Sequence, residues 1–361
     1  MHVGLVVYGD LDRRSGGYLY DAELVDHLRE AGDEVTVFSL PERRYARSLA
    51  DNADREFRQE LRRADLDVLL QDELCHPSLA WTNRRLRRSG FETPIVAIVH
   101  HLRSVEPRTA WRNDLYRAVE RRYLSTVDGF VYNSETTRET VARLADPDPG
   151  VVAYPAGDRF DRFGRTPTPD QVRERASEGP LRLVALGSVT PRKGLDTLVE
   201  GLARTDGGWE LTVVGDDTVD PDYALRLRTL VASLGLVEDV TFTGRLPDDE
   251  LVTVLERSHL LAMPSQYEGF GIAYVEGMAF GLPALASTAG GAAELVTDRV
   301  NGLLVDPGDA SSVVDAVAPL CRNRERLARL SVAALETAQT HPTWAETAAR
   351  IRGFLAAVVA E

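Results

Sequence analysis

Residues 264–283 read PSQYEGFGIAYVEGMAFGLP and combine three structural signals in one stretch. The stretch continues from an apolar run, Leu260–Met263, which predicts a buried strand. A Gly-rich turn follows, and the segment near Ile272–Phe280 then predicts a helix. A strand, a turn and a helix in this order are typical of α/β folds, which place ligands beyond the carboxyl ends of their strands. We therefore expect a ligand site at this turn.

Two carboxylates mark the same stretch. Glu268 lies in the Gly-rich turn, and Glu276 lies eight residues later on the predicted helix. A carboxylate only accepts hydrogen bonds, which suits it to the paired hydroxyls of a sugar or a ribose. Gly269 and Gly271 leave backbone N–H groups accessible to the same ligand. Glu276 taken alone would also fit an ordinary helix-face residue, but the complete string is far more specific.

A second turn, GSVTPRKG at residues 187–194, follows the predicted strand Leu181–Leu186 and opens a helix. Arg192 and Lys193 beside a helix N-terminus form a site for a phosphate or a diphosphate. A solvated basic turn is the alternative. Lys193 is the only lysine among 42 basic residues, which favours a specific role for it.

Short apolar runs alternate with amphipathic segments along the whole chain, a pattern that predicts an α/β fold with parallel sheets. Residues 164–180, which contain three prolines and two glycines among polar residues, are interpreted as an interdomain linker. The predicted strands fall into two sets of six on either side of it. They are Val3–Val7, Val35–Phe38, Val68–Gln71, Ile95–Val99, Gly129–Tyr132 and Val151–Tyr154, then Leu181–Leu186, Glu210–Val214, Val240–Phe242, Leu260–Met263, Ala284–Ser287 and Gly302–Val305.

Length and composition exclude several classes of protein. The 361 residues, 43% hydrophobic and 27% charged, are enough for two cores and exclude a disordered chain or a small disulfide scaffold. No apolar run approaches the ~18 residues of a transmembrane helix. The first predicted strand starts at Val3, which leaves no room for a signal peptide. Cys75 and Cys321 match neither a disulfide framework nor a metal-ligand spacing, so we expect a cytoplasmic protein without a metal.

Charge gives further information. With 56 acidic and 42 basic residues the net charge is −14, which argues against a nucleic-acid partner. The near absence of lysine suggests a halophilic or a very GC-rich source, with codon bias as the alternative. Residues 1–165 have a net charge of −3 and contain most arginine clusters, whereas residues 166–361 have a net charge of −11. The clusters are either solvated helix faces or surfaces that face phosphate or a membrane.

The Gly-rich motifs as a set resemble the retaining, nucleotide-sugar-dependent glycosyltransferases of family 4. Their fold is GT-B, in which two Rossmann-like, doubly wound parallel-sheet domains face a cleft. The likeness rests on PSQYEGFGIAYVEGMAFGLP and GSVTPRKG, and it extends to Ser15-Gly16-Gly17 before the first helix and to His100 after the fourth strand. Looser matches are Asn133-Ser134, Pro155-Ala156-Gly157-Asp158, Phe242-Thr243-Gly244-Arg245, residues 290–294 and Asn301-Gly302.

The resemblance implies a role for each matching position. Lys193 would bind the donor diphosphate, Glu268 would face the hydroxyls of the donor sugar, and His100 would lie near the transferred sugar. Glu276 would hold the ribose hydroxyls. As a set, the catalytic positions are Lys193, Glu268 and His100, and the donor-binding positions are Gly16, Gly17, Gly187, Ser188, Arg192, Arg245, Gly269, Phe270, Gly271 and Glu276.

One position departs from the family pattern. The family usually has Arg after the first Gly of the second turn, as a second cation for the diphosphate, and this chain has Ser188. Arg192 would substitute only in part, because its side chain leaves the backbone at a different point. The departure adds some weight to a domain that binds a donor without catalysing transfer.

The resemblance also implies a domain organisation. Residues 1–163 and the returning C-terminal segment 344–361 would form the acceptor-side domain, and residues 181–343 would bind the nucleotide sugar. The last helix, about Trp344–Val359, would pack on the first domain and bury Trp344, Ile351 and Phe354.

The predicted function is transfer of a hexose-type sugar from an NDP-sugar to an acceptor hydroxyl with retention, without a cofactor or a metal. The alternatives are a non-catalytic nucleotide-sugar-binding subunit of a glycan-assembly complex and a sugar-nucleotide epimerase of the same fold. A glycan or a lipid-linked molecule is the expected acceptor. The arginine-clustered first half adds the hypothesis of peripheral association with the inner membrane surface.

Overall fold

A computed structural model describes residues 1–11 and 15–360 of the chain. Glu361, the last residue of the predicted first domain, lies outside the described residues. The chain divides into two compact units. Unit 1 is Met1–Pro155 with Trp344–Glu361, and unit 2 is Ala156–Thr343.

The strands lie where the hydrophobic pattern predicts them, with ends that differ by at most two residues. Most are buried on both faces, as is usual for parallel strands covered by helices. In chain order they are β1 (His2–Tyr8), β2 (Glu34–Leu40), β3 (Val68–Asp72), β4 (Ile95–Val99), β5 (Gly129–Tyr132), β6 (Gly150–Val152), β7 (Leu181–Leu186), β8 (Trp209–Val214), β9 (Val240–Gly244), β10 (Leu260–Met263), β11 (Ala284–Ser287) and β12 (Gly302–Val305).

Helices connect these strands and cover the sheets. Several begin at a side-chain cap; Asp220, for example, accepts a hydrogen bond from the backbone N–H of Tyr223. The helices are α1 (Gly16–Glu30), α2 (Tyr45–Asp51), α3 (Arg55–Arg63), α4 (His76–Leu79), α5 (Thr82–Arg88), α6 (Ala110–Leu124), α7 (Glu135–Ala142), α8 (Pro169–Ala176), α9 (Leu195–Leu202), α10 (Pro221–Ser233), α11 (Asp248–Arg257), α12 (Ile272–Ala279), α13 (Ala310–Arg322), α14 (Arg324–Thr340) and α15 (Trp344–Ala360).

Each unit contains one six-stranded, fully parallel sheet. The strand order is β2-β1-β3-β4-β5-β6 in unit 1 and β12-β11-β10-β7-β8-β9 in unit 2. The direction of winding reverses between β1 and β3 in unit 1 and between β7 and β10 in unit 2. At such a reversal the loops leave in opposite directions and open a crevice at the carboxyl edge of the sheet, where ligands of this fold class bind. The fold class predicted from the sequence is confirmed.

The structure corrects the predicted linker. Residues 164–180 belong to unit 2 and contain α8, which packs on α14. Thr168 caps this helix in a capping box with Gln171, and Pro169 occupies its first turn. Proline is favoured at the start of a helix because it has no N–H to leave unpaired. The Pro-rich stretch therefore forms a capped helix and not a linker, and unit 2 begins earlier, at Ala156.

The C-terminal helix α15 packs on α1 and is part of unit 1. Trp344 and Ile351 are buried, and the hydroxyl of Thr347 donates a hydrogen bond to the carbonyl of Tyr154 at 2.7 Å. Phe354, which was expected to be buried, is only half-buried, and Leu355 is buried in its place. The buried stripe thus follows positions 344, 347, 348, 351 and 355, the i, i+3, i+4 spacing of one helix face.

None of the helices within the described residues combines the length and the apolar character needed to cross a bilayer.

The buried stripe of α15 gives a stability prediction. Leu355 is 0% exposed and Val359, one turn later, is 37% exposed. Leu355→Ala leaves a cavity, and we expect it to lower the free energy of unfolding of unit 1 by about 2–5 kcal/mol. Val359→Ala is the matched control and should cost about 0.5 kcal/mol or less. Urea unfolding measures both, and equal midpoints for the two variants would contradict the packing of α15.

Candidate functional site

The loops after β7 and β10 meet at the carboxyl edge of the unit 2 sheet. The backbone N–H of Gln266 donates a hydrogen bond to the carbonyl of Arg192 at 2.7 Å. Gly194 has a φ of +65°, and a Cβ atom there would lie 2.1 Å from the carbonyl oxygen of Pro264. No other residue fits this approach, so the last glycine of GSVTPRKG joins the two turns that the sequence singles out.

This junction brings three predicted site residues together. Lys193 Nζ donates a hydrogen bond to Glu268 Oε1 at 2.6 Å, and a guanidinium nitrogen of Arg192 lies 3.2 Å from Glu268 Oε2. Ser265 Oγ donates a further hydrogen bond to Glu268 Oε1 at 3.0 Å. Two cations therefore face one carboxylate, and the group, which we call the Lys193 cluster (Arg192, Lys193, Ser265 and Glu268), has a formal charge of +1.

Burial makes these charges interact strongly. Glu268 is 7% exposed, and burial alone would raise the pKa of its carboxyl group. The charges of Lys193 and Arg192 more than offset burial and hold the pKa of Glu268 at about 2. Burial lowers the pKa of Lys193, while the charge of Glu268 acts in the opposite direction. Glu268 is thus an ionised acceptor near neutral pH.

The space around the lysine is narrow. A Cβ atom on Gly187 would lie 3.0 Å from Lys193 Cε, so the glycine leaves room for the stem of the lysine. The lysine side chain is 13% exposed. This narrow channel beside Gly187 fits an unbranched side chain with a compact ammonium group better than it fits a planar guanidinium.

Arg192, four residues after Ser188 in the sequence, supplies the second cation. Its guanidinium also donates a hydrogen bond to the carbonyl of Tyr267 at 3.2 Å, which fixes it beside Glu268. The sequence predicted only a partial substitution for the missing arginine. In the structure, Arg192 and Lys193 both contact the carboxylate of Glu268.

Glu276 lies in the middle of α12 and is 3% exposed. Its carboxylate pairs with Arg159 Nε, and Arg159 also lies 3.6 Å from Asp248. Burial raises the pKa of Glu276, and the charge of Arg159 acts against burial. The sequence did not predict this ion pair, although Arg159 directly follows the Pro155-Ala156-Gly157-Asp158 motif.

The remaining positions of unit 2 that the sequence predicts to bind the donor lie on neighbouring loops. Arg245 follows β9 and forms an ion pair at 2.8 Å with Asp216, which lies in the loop after β8. Phe270 is buried and stacks on His341 with 5.7 Å between ring centroids, so its aromatic ring serves packing. Gly271 has a φ of +98° and caps the N-terminus of α12. Gly269 precedes Phe270 in the same turn.

In unit 1, the structure brings the N-terminal glycines and His100 together. Gly16 and Gly17 are the first residues of α1, and a Cβ atom on Gly17 would lie 3.1 Å from His100 Cδ2. His100 directly follows β4 and is 7% exposed. These residues lie at the carboxyl edge of the sheet, beside the reversal between β1 and β3.

Two buried carboxylates that the sequence analysis missed accompany His100. His100 Nε2 lies 3.3 Å from Asp21 Oδ1, and Asp21 and Asp72 are both fully buried. Burial raises the pKa of Asp72, and the nearby charge of Asp21 raises it further. Burial lowers the pKa of His100, but Asp21 and Asp72 outweigh burial and bring it to about 9. No sequence spacing links these residues, because they come from α1, from the end of β3 and from the loop after β4.

A second buried cluster in unit 1 consists of Glu73, His76 and Glu120. His76 Nδ1 lies 2.9 Å from the carbonyl of Glu73, and Nε2 lies 3.0 Å from the hydroxyl of Tyr45. Both ring nitrogens therefore have hydrogen-bond partners. Burial lowers the pKa of His76, but the charge of Glu73 raises it above its usual value. Each of the two clusters gathers three side chains within 4.8 Å. In each cluster the imidazole lies beside a buried carboxylate: His76 Nδ1 is 2.9 Å from Glu73 Oε1, and His100 Nε2 is 3.3 Å from Asp21 Oδ1.

Comparison with solved structures defines the class of fold. Sucrose-phosphate synthase from Thermosynechococcus elongatus superimposes with a TM-score of 0.85 at 21% identity, covering 100% of this chain and 99% of that one. Anabaena HepE in complex with UDP and glucose gives a TM-score of 0.76 at 19% identity, covering 99% and 100% of the two chains. The fold is therefore that of the GT-B glycosyltransferases.

Sequence comparison defines the family. The profile "Glycosyl transferases group 1" matches residues 168–337, and the profile "Glycosyltransferase Family 4" matches residues 20–158. The two matches together cover most of both units. The chain belongs to the family 4, group 1 glycosyltransferases.

Two relatives are similar to this chain over part of their length. One is a GDP-mannose-dependent alpha-(1-6)-phosphatidylinositol monomannoside mannosyltransferase of Mycobacterium tuberculosis, 34% identical over 253 residues that cover 66% of this chain and 64% of the relative. The other is a D-inositol 3-phosphate glycosyltransferase of Nocardia farcinica, 31% identical over 283 residues, 73% of this chain and 61% of the relative. The match thus spans less than two thirds of each relative.

The Lys193 cluster gives a pH prediction. Because the pKa of Glu268 is lowered in the fold, its ionised form contributes stability that is fully present above about pH 4.5 and is lost as the pH falls toward about 2. Glu268→Gln should therefore be less stable than the wild type at pH 7, and the difference should shrink below about pH 4.5. Denaturant unfolding from pH 7 to pH 3 measures it, with the exposed Glu178→Gln as the charge control. A constant difference over this range would contradict the assignment.

Proposed function

We propose that this protein is a retaining glycosyltransferase that moves a hexose-type sugar from an NDP-sugar to an acceptor hydroxyl. The observation that carries the proposal is the Lys193 cluster at the winding reversal of the unit 2 sheet. In the reaction, the acceptor oxygen replaces the nucleoside diphosphate at the anomeric carbon, and the proton of the hydroxyl leaves with the products.

The cations of the cluster suit a diphosphate. Lys193 lies 2.6 Å and Arg192 lies 3.2 Å from the single carboxylate of Glu268, which leaves a net positive charge for an anion. As the sugar leaves, negative charge grows on the diphosphate, and preorganised cations in a water-poor site stabilise it. In the proposed reaction these two side chains supply the charge that a metal ion supplies in other transferases.

Because the proposed reaction needs no metal ion, we expect the transfer activity to persist in excess EDTA.

The two glutamates suit hydroxyl groups. Glu268 is ionised, so it accepts hydrogen bonds from the sugar, and Ser265 and Lys193 hold it in place. Glu276 is held by Arg159 and is proposed to accept hydrogen bonds from the ribose. The glycines Gly269 and Gly271 allow close approach of a ligand to the backbone between them.

In unit 1, we propose that His100 contacts the transferred sugar and that Gly16 and Gly17 bind the diphosphate, as the family resemblance implies. The contact between Gly17 and His100 supports a common site for these three residues.

The names of the relatives suggest the first substrates to test. The name of the mycobacterial enzyme gives GDP-mannose as the donor and a phosphatidylinositol monomannoside as the acceptor. The name of the Nocardia enzyme gives D-inositol 3-phosphate. We propose GDP-mannose as the donor and a phosphate-bearing polyol or glycolipid as the acceptor class.

The test is a transfer assay with purified full-length protein. A thermal-shift screen of GDP-, UDP- and ADP-sugars in high salt first finds the donor, because a ligand at 100 times its Kd adds about 2.7 kcal/mol of stability. NMR of the product then gives the anomeric configuration. Retention and a new glycosidic bond support the proposal. Binding without turnover identifies a non-catalytic subunit, and a changed sugar that stays on the nucleotide identifies an epimerase.

Lys193→Arg tests whether the site needs a compact cation. The substitution keeps the charge, but the forked guanidinium does not fit the channel beside Gly187. We expect the fold to persist and kcat to fall on the order of 10²-fold or more, the effect of losing one preorganised donor. Lys193→Ala should be at least as damaging. Steady-state rates with the identified donor provide the measurement.

The matched control is Arg192→Lys. Arg192 is 30% exposed at its side chain and has more room than Lys193, so a smaller loss of activity is expected. A Lys193→Arg enzyme within about threefold of wild type would show that charge alone matters at position 193, because that is far from the order-of-magnitude effect of a lost donor.

We also propose that unit 1 binds anionic membranes through helix α6. Trp111 and Leu115 are 65% and 49% exposed and lie one turn apart on this helix. Arg112 lies with its guanidinium carbon 5.2 Å from the centre of the Trp111 ring, and Arg117 and Arg121 are also exposed. An exposed tryptophan among arginines is typical of surfaces that lie in the lipid headgroup region.

Flotation with phosphatidylglycerol vesicles tests the membrane proposal. The wild type should float at low salt and less at high salt, because salt screens the arginines. Trp111→Ala should reduce the floated fraction, whereas Leu225→Ala, which removes a side chain that is 66% exposed in unit 2, should not. Absence of the protein from the lipid fraction at both salt concentrations would end the idea.

A further inference from the structure

His100 is held by a set of side chains that the sequence motifs did not include. Its Nε2 lies 3.3 Å from Oδ1 of Asp21, which is fully buried in the second turn of α1. The ring of Tyr20 meets the imidazole edge-to-face with 5.2 Å between centroids. The hydroxyl of Tyr20 in turn donates a hydrogen bond to the carbonyl of Ala153 at 2.8 Å. The plane and the rotation of the imidazole are thus both fixed.

The hydrogen bond to Asp21 leaves the other ring nitrogen for a ligand. Within residues 1–11 and 15–360, no protein group forms a hydrogen bond with His100 Nδ1. The carbonyl of His100 accepts a hydrogen bond from Asn133 at 2.7 Å, so the backbone that carries the ring is also fixed. A carboxylate on one nitrogen of a histidine determines which tautomer is present and which nitrogen faces a substrate.

We propose that Asp21 is the positioning residue of His100: it holds Nε2–H, keeps the imidazole protonated and leaves Nδ1–H as a charged hydrogen-bond donor toward the substrate. Asp72, which has a carboxylate oxygen within 4.8 Å of both side chains, also favours this state. Both aspartates are 0% exposed, and one carboxylate oxygen of each, Oδ2, has no protein partner among the described residues. Burial and the charge of Asp21 raise the pKa of Asp72 to about 7, so the two aspartates together carry between one and two negative charges near neutral pH. Such buried charge is costly without a cation, and the imidazolium is the cation that compensates it.

The groups that face His100 come from three elements. Asp21 comes from α1, Asp72 from the end of β3 and Glu73 from the turn that follows β3, and all three favour the charged form of the imidazole. Burial acts in the opposite direction and is outweighed, so the pKa of His100 rises to about 9. At neutral pH the imidazole is therefore charged, so it donates hydrogen bonds and does not act as a base.

The inference deepens the proposed function, on which it rests, because it gives His100 a defined chemical state in sugar transfer. A charged donor near the transferred sugar holds one of its hydroxyl or ring oxygens and strengthens as negative charge develops in the site. A general base would have to be neutral. The geometry of the Asp21–His100 pair favours the donor.

Histidine NMR tests the pair without any assay of activity. In long-range 1H–15N spectra of the full chain, assigned with a His100→Asn variant, wild-type His100 should be doubly protonated at pH 7.5. In Asp21→Asn its pKa should fall toward the ordinary value of about 6.5, so the ring should be neutral at pH 7.5. The matched control is Asp26→Asn, an exposed carboxylate on the same helix, which should leave the His100 signals unchanged.

Unfolding measurements give a second readout of the same charge. A raised pKa of His100 contributes stability that is complete below about pH 6.5 and is lost as the pH rises through about 9. The stability difference between wild type and Asp21→Asn should therefore shrink as the pH rises over this range. A difference that does not change with pH would overturn the proposal.

The kinetic arm tests the role in transfer. At pH 8, kcat of Asp21→Asn should be about tenfold or more below wild type, and the loss should largely disappear at pH 6, where an ordinary histidine is protonated. A purely structural defect would lower the rate equally at both values. An unperturbed His100 pKa in Asp21→Asn overturns the inference whatever the activity is. A wild type without transfer activity overturns the proposed function, while the NMR result still decides the pairing.

Discussion

The buried ion pair between Lys193 and Glu268 is the interaction on which the site depends. Each partner is costly to bury alone, and breaking such a pair by removing one side typically costs about 3–5 kcal/mol. The pair spans the winding reversal between β7 and β10, so it also fixes the two Gly-rich loops relative to each other. The same contact thus contributes to the fold of unit 2 and sets the charge offered to a ligand.

The two units use one architectural rule. In each, a six-stranded parallel sheet reverses its winding, and buried charged side chains gather at the carboxyl edge beside the reversal. In unit 2 the group is cationic overall and suits a diphosphate. In unit 1, Asp21, Asp72 and His100 form a group in which two carboxylates surround one imidazole. Backbone amides and helix ends pointing at these edges make both positions suited to polar ligands.

Net charge and local charge differ in this protein. The chain has a net charge of −14, yet the Lys193 cluster is positive and the α6 surface is rich in arginine. Short-range fields in a partly buried site are screened much less than those of the surface, so the proposed donor anion would be attracted there despite the acidic exterior. This separation explains why a net charge that argues against a nucleic-acid partner is still compatible with the proposed nucleotide sugar.

The sequence by itself determined the strands, the parallel α/β class and the Gly-rich turns, because hydrophobic period and turn glycines are local properties of the chain. The family resemblance implied that Lys193 and Glu268 belong to one site, and only the structure showed that they form an ion pair. Only the tertiary structure decided that residues 164–180 contain helix α8 and are not a linker, and that Leu355 and not Phe354 is the buried residue. It also decided that Arg159 pairs with Glu276. It also brought Asp21 beside His100, 79 residues apart in the sequence. Such ion pairs depend on which strand ends become neighbours, and no local pattern records that order.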